Sequence, residues 1–173
     1  MTYKLPAMIA AAALLATGPA VAAEGPNDAQ IAHIAYTAGA IDVAAAKQAL
    51  AKSRNATVRE FASEMVRDHE AVNAKALDLV KALKVTPEDN STSAALNKGA
   101  ADAMKTLGAL NGAAFDKAYV ANEVAFHGTV NGALQSTLIP SADNAQLKSL
   151  LETGLTLFRE HQMHAEHLAA SLK

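Results

Sequence analysis

The segment Glu160–Leu168, EHQMHAEHL, carries His161, His164 and His167, half of the chain's six histidines, spaced three residues apart. Neutral imidazole is the commonest metal ligand in proteins, and an imidazole buried without a partner is costly. Such a run could therefore be a metal-binding edge, a pH-sensitive surface, or unconnected side chains on an alanine-rich helix. Two more histidines sit in apolar stretches, His69 in MVRDHE and His127 in VAFH, and the sixth is His33. What any of them can do depends on which way each ring points, and so on the helices that carry them.

Alanine, leucine, lysine, glutamate and glutamine dominate, all good helix formers. No convincing alternating strand pattern interrupts them. Four long helices are predicted, over about Asp28–Ser53, from just after Arg54-Asn55 to before Pro87, about Ala114–Thr137 and about Ala142–Leu172. Their apolar seams recur at near-heptad spacing, for example Ile31, Ile34, Ala38, Ile41 and Ala45 in the first. Thr57 with Glu60 has capping-box spacing, and Ser141 or Asp143 could cap the last helix. Short turns make antiparallel pairs of helices one and two and of three and four. The long link between the second and third holds a weaker helix, about Thr92–Leu107. The fold expected is all-α: a ferritin-like four-helix bundle with one long crossover containing a short extra helix.

At about 100° per residue, His161 falls at the centre of the last helix's apolar face, flanked by Leu150 and Leu168. His164 lies about 60° away at the margin, and His167 about 120° away, toward solvent. The same construction centres His69 and His127 on their seams, with Glu123 one turn before His127. With one crossover, all three central histidines come out roughly 18–21 Å from the same end of the bundle. Asp68, beside His69, lies at the edge of its face, as a surface ion-pair partner or an acceptor for a ligating imidazole.

Two readings of this convergence stay open. In one, His69, His127 and His161 bind a transition metal (zinc, copper or iron), with Glu123 as a fourth ligand or base and His164 as a peripheral ligand. In the other, the imidazoles form a metal-free polar layer that sets helix register. Taken singly, each could also be a core histidine bonded to a backbone carbonyl. His164 at the margin can equally pair with Glu160, while His167 and His33 read as surface residues. A carboxylate-bridged di-iron centre is not expected. Its Glu-x-x-His spacing is missing, because Val66, Val124 and Phe158 precede the three histidines. A redox enzyme with an open metal position is correspondingly disfavoured. G-x-S-x-G, H-E-x-x-H, P-loop and dinucleotide fingerprints are absent, and with no cysteine there is no thiol chemistry and no disulfide.

Residues 1–23 read as a secretory signal peptide: Lys4, an apolar core too short to span a bilayer, a Gly18-Pro19 break and small residues through Ala22 or Ala23. Residues 24–173 would then be one domain, periplasmic or secreted, with no membrane insertion after cleavage. The 15 basic and 17 acidic residues are interspersed, so no basic block points to nucleic acid. Alanine-rich outer faces permit self-association and identify no protein partner.

FASEMVRDHEAVN (Phe61–Asn73), FDKAYVANEVAFH (Phe115–His127) and the late His161 together resemble the bacterial Domain of Unknown Function 4142 family over most of the expected mature chain. The resemblance implies an exported, ferritin-like bundle with no activity established for the class. It places Asp68, His69, Phe115, Asp116, Tyr119, His127 and His161 in the family pattern and leaves His164 and His167 as extras. The outer-membrane label often given to such proteins can denote location only, because this helical sequence cannot make a β-barrel.

Overall fold

A computed structural model describes residues 25–172, so the expected signal peptide lies outside the described residues. Five long helices account for nearly all of the described chain: α1 (Asp28–Lys52), α2 (Ala56–Leu83), α3 (Ser91–Ala109), α4 (Gly112–Ala133) and α5 (Ala145–Ser171). An asparagine precedes every one of them: Asn27, Asn55, Asn90, Asn111 and Asn144. Four of these side chains accept first-turn amide hydrogens, and Asn27 and Asn90 complete reciprocal boxes with Gln30 and Ser93. Each such cap contributes about 1 kcal/mol by satisfying amides that the helix itself leaves free. Asn55 therefore replaces the expected Thr57 as the cap of α2, and Asn144 replaces Ser141 or Asp143 at α5. Asp28 reinforces that last turn, its carboxylate accepting from the amides of Asp143 and Asn144, both at 3.0 Å.

The chain does not break at Thr137 as the sequence suggests. A π-helical segment, Leu134–Leu138, continues α4, and a last turn runs through Ile139–Ser141. Proline in an α-helix loses its amide bond and clashes with the carbonyl four residues back. Here the Ile139 amide reaches five residues back to Leu134, so the widened backbone accepts Pro140 without ending the helix.

Cross-helix contacts fix the directions. Asn73 donates to the Tyr36 carbonyl and Lys47 pairs with Glu70, so α1 and α2 are antiparallel. Asn131 donates to Gln162 and Arg159 to Gln135, so α4 and α5 are antiparallel. His161 meets Asp68 and His164 meets Glu64, which sets α5 antiparallel to α2. The crossover is α3. It is 19 residues long, not short, and runs beside α1 in the same direction. Asn90 donates to the Gln30 carbonyl, Gln48 to that of Met104 and Lys52 to that of Gly108. α3 thereby returns the chain to the end where α2 began, and α4 runs parallel to α2, as the crossover topology requires.

The core falls into two apolar clusters. One is built on Val58, Phe61, Met65, Phe115, Tyr119 and Ala165, and the other on Ile31, Ile34, Leu134, Leu147, Leu151 and Phe158. Phe61, Phe115 and Tyr119 are fully buried, and truncating a buried phenylalanine to alanine costs about 3–5 kcal/mol. Between the clusters lie polar side chains with at most 3 % exposure: Asp42, His69, Glu123, His127 and His161.

Helices α1 and α2 approach closely at Gly39, where an added Cβ would lie 2.3 Å from Asn73 Oδ1. Gly99, inside α3, has nothing within 4 Å of that position. Alanine is the better helix former by about 1 kcal/mol, so Gly99→Ala is expected to raise the melting temperature. Gly39→Ala is expected to lower it despite the same propensity gain, because buried Asn73 must move. Thermal unfolding followed by circular dichroism checks the opposite signs.

Candidate metal centre

All four core helices contribute to the polar layer: α1 supplies Asp42, α2 His69, α4 Glu123 and His127, and α5 His161. The three imidazoles form a near-equilateral triangle, with ring centroids 5.6 Å (His69–His127), 5.3 Å (His69–His161) and 5.5 Å (His127–His161) apart. One ring nitrogen from each lies within 4.8 Å of those of the others. Asp42 Oδ2 is 3.6 Å from His69 Nε2 and equally 3.6 Å from His127 Nε2. Ligands held about 2.0–2.1 Å from one tetrahedral ion are themselves about 3.3 Å apart, so this spacing is near that of a shared ion. Asp42, Glu123 and His127 form a second group with donor atoms within 4.8 Å of one another.

Hydrogen bonds set two of the tautomers. His127 Nδ1 is 3.0 Å from the Glu123 carbonyl, which can only accept, so Nδ1 carries the proton and Nε2 presents its lone pair. His161 Nε2 donates to Asp68 Oδ2 at 3.1 Å, which leaves Nδ1 as the lone-pair atom. A carboxylate behind a histidine is the usual way of orienting a metal-binding ring. Asp68 is itself held by Arg67 through two contacts of 2.7 and 2.9 Å. Phe158 stacks on His69 with centroids 4.6 Å apart and planes 11° from parallel, walling off the lower side.

Among the described residues the layer leaves many polar atoms without hydrogen-bond partners: both oxygens of Asp42 and of Glu123, both nitrogens of His69, His127 Nε2, His161 Nδ1 and the Tyr119 hydroxyl. Buried polar groups are nearly always paired, so this concentration at one level calls for an explanation. Burial dominates the electrostatics. It holds the His69 imidazole down at about 3 and that of His127 at about 4, with neighbouring imidazoles adding to the effect. Burial also depresses His161, against the pull of Asp68. The Asp42 carboxyl is pushed up to about 7 by burial, and that of Glu123 well above its ordinary value by burial and then by the Asp42 charge. Tyr119 is raised by burial and by both carboxylates, so its hydroxyl stays protonated. Three neutral imidazoles and a carboxyl pair reluctant to ionise therefore share one buried space.

His164 lies outside this space. Its Nδ1 meets Glu64 Oε2 of α2 at 2.8 Å, not the expected Glu160, and its ring stands edge-on to Phe61. His167 is exposed. His33 is half-buried and pairs with Asp89 at 3.1 Å, away from the layer.

The model of a family described as a domain of unknown function (DUF4142) matches residues 13–168. The chain belongs to the DUF4142 family. No curated protein matches it, and no solved structure does. The DUF4142 segments quoted above are those that build the layer. Phe61–Asn73 brings Asp68 and His69, and Phe115–His127 brings Tyr119, Glu123 and His127. Asp42 belongs to neither segment and escaped the sequence reading. The α1 seam drifts by one residue, so that Ile41 is only half-buried while Asp42 is completely enclosed. The available signal was a carboxylate one helical turn after Ala38 on an otherwise apolar face. A search for apolar spacing passes over it.

The Asp42 carboxyl keeps its proton in the fold up to about pH 7, whereas in the unfolded chain it loses it near 3.8. Its contribution to stability is complete below the unfolded value and is lost as pH rises through the folded one, up to about 4 kcal/mol. In chelator, Asp42→Asn should therefore gain stability relative to wild type as pH rises from about 5 to 8. Comparing the two in parallel melts cancels the opposing contribution of the depressed histidines.

Proposed function

We propose that this protein binds a transition-metal dication in the buried layer, held by Asp42, His69, His127 and His161 with Glu123 as a further ligand or proton acceptor. One observation carries the reading. Two fully enclosed carboxyls face three imidazoles, and no lysine or arginine among the described residues forms an ion pair with either. A dication balances both carboxylates, and the unprotonated nitrogens of His127 and His161 supply lone pairs on the same side. Nitrogen and oxygen donors without sulfur suit zinc or ferrous iron, and copper(II) more than copper(I). Binding would expel the proton held by the carboxyl pair, so affinity would rise with pH. Glu64, Asp68 and His164 would line the outer side of the α2–α5 seam, with His164 peripheral to the inner ligands.

The enclosure of the layer favours holding a metal over turning over a substrate. Together with the signal-peptide features of residues 1–23, it supports a ferritin-like role in binding or buffering metal in an exported compartment. The competing reading is a metal-free layer in which the carboxyls share a proton and the imidazoles only tie the helices together.

Metal analysis of the mature protein, purified without an affinity tag and incubated with zinc, copper or ferrous iron, separates them. Near-stoichiometric metal is expected, lost in folded His69→Ala, His127→Ala and His161→Ala variants. Asp68→Asn should keep the stoichiometry and weaken affinity about 10–100-fold, because it frees the His161 ring without removing a ligand. Wild-type protein without metal, or metal retained by all three alanine variants, would leave the structural layer as the correct reading.

A further inference from the structure

The two halves of the α2 seam are treated differently by the fold. Above the polar layer Val58, Phe61, Ala62 and Met65 are fully buried. Below it Val72, Ala76, Leu79 and Leu83 continue the same apolar stripe but are only half-buried, and Leu77 beside them is 48 % exposed. Against the lower apolar cluster lies a partly open cavity of about 140 Å³ between α1, α2, α3, α4 and α5. Ile34, Val72, Leu134, Leu151 and Phe158 form much of its wall, and no charged side chain lines it. Its polar lining is limited to Asn73, Thr92 and Thr129.

We propose that this cavity is a binding site for a small, uncharged, apolar molecule. Water is a poor occupant, because beyond Asn73, Thr92 and Thr129 the walls offer it no polar side chain. Left empty, the cavity costs its lining residues their dispersion contacts. An apolar cavity of about this volume holds a molecule the size of benzene. The cavity shares Ala32, Ala76 and Val80 with a neighbouring surface groove bordered by Tyr36 and Leu77, two of the large apolar side chains left exposed. A charged ligand would meet no counter-charge inside, so the buried portion of the ligand is hydrocarbon. Phe158 is common to both sites, lining this cavity while stacking on His69. The inference does not rest on metal binding, since no member of the histidine–carboxylate layer lines the cavity.

Benzene is the probe. It is expected to raise the melting temperature of the metal-free protein saturably, by about 3–6 °C at tenfold excess over its dissociation constant. Isotope-filtered nuclear Overhauser contacts from benzene should reach the methyl groups of Leu134 and Leu151. Ala76→Leu and Ala133→Leu, which push side chain into the cavity, should abolish the shift. No saturable shift in folded wild-type protein would overturn the proposal. So would a shift kept by both variants, or contacts to methyl groups elsewhere. Should the variants fail to fold, the Overhauser contacts in the wild type decide alone.

Discussion

Asp42 and Glu123 put two carboxyl groups into the centre of a helical bundle in which no lysine or arginine among the described residues pairs with them. Everything near them is arranged around that charge problem. An isolated buried carboxylate is strongly disfavoured, so the pair either keeps a proton or takes a cation. The three imidazoles are driven the other way by the same burial, His69 and His127 furthest, while Asp68 opposes the effect at His161. The result is a layer in which lone pairs and protons lie within a few ångströms of one another. The surrounding protein supplies tautomer control through the Glu123 carbonyl and the Asp68 carboxylate, not a compensating charge of its own. In that state the layer is a group of donors that could hold a metal ion.

The layer also organises the packing. Each core helix sends at least one polar side chain to the same height, so sliding any helix by a turn would bury polar groups against the apolar clusters. Specificity bought in this way has a structural cost, because it divides the core in two. Above the division the aromatic side chains Phe61, Phe115 and Tyr119 fill the space between helices. Below it the lining of the cavity is mostly alanine, valine and leucine. The lower half is therefore where the fold has room to accommodate something else. Phe158 stands at the boundary, in the apolar cluster by its packing and on the histidine layer by its stacking.

Much of this was legible in the chain. Helical periodicity placed His69, His127 and His161 on apolar faces, because a residue's angle around a helix depends only on its spacing from its neighbours. The long link between α2 and α4 implied a crossover, and the heights of the three histidines then followed from helix length. Asp42 was not legible in the same way. Spacing allowed either Ile41 or Asp42 to face inward, and hydropathy favours isoleucine. The partner of His164 was equally hidden, since Glu160 is near in sequence while Glu64 becomes near only when α2 and α5 pack. Pro140 marked an apparent helix end because the π-helical widening that accommodates it has no signature of its own.

What the sequence by itself determined is local: helix-forming composition, seam spacing, and hence the class of fold and the direction in which each histidine points. These depend on backbone geometry within one element, which repeats predictably. What only the tertiary structure decided is relational: that Asp42 rather than Ile41 is enclosed, that one carboxylate oxygen sits equally far from two imidazoles, that Asp68 rather than solvent receives His161, and that the lower seam stays partly open. Those depend on how four helix surfaces are rotated against one another. That rotation is settled by the summed packing of many side chains from distant parts of the chain, and no local pattern encodes it.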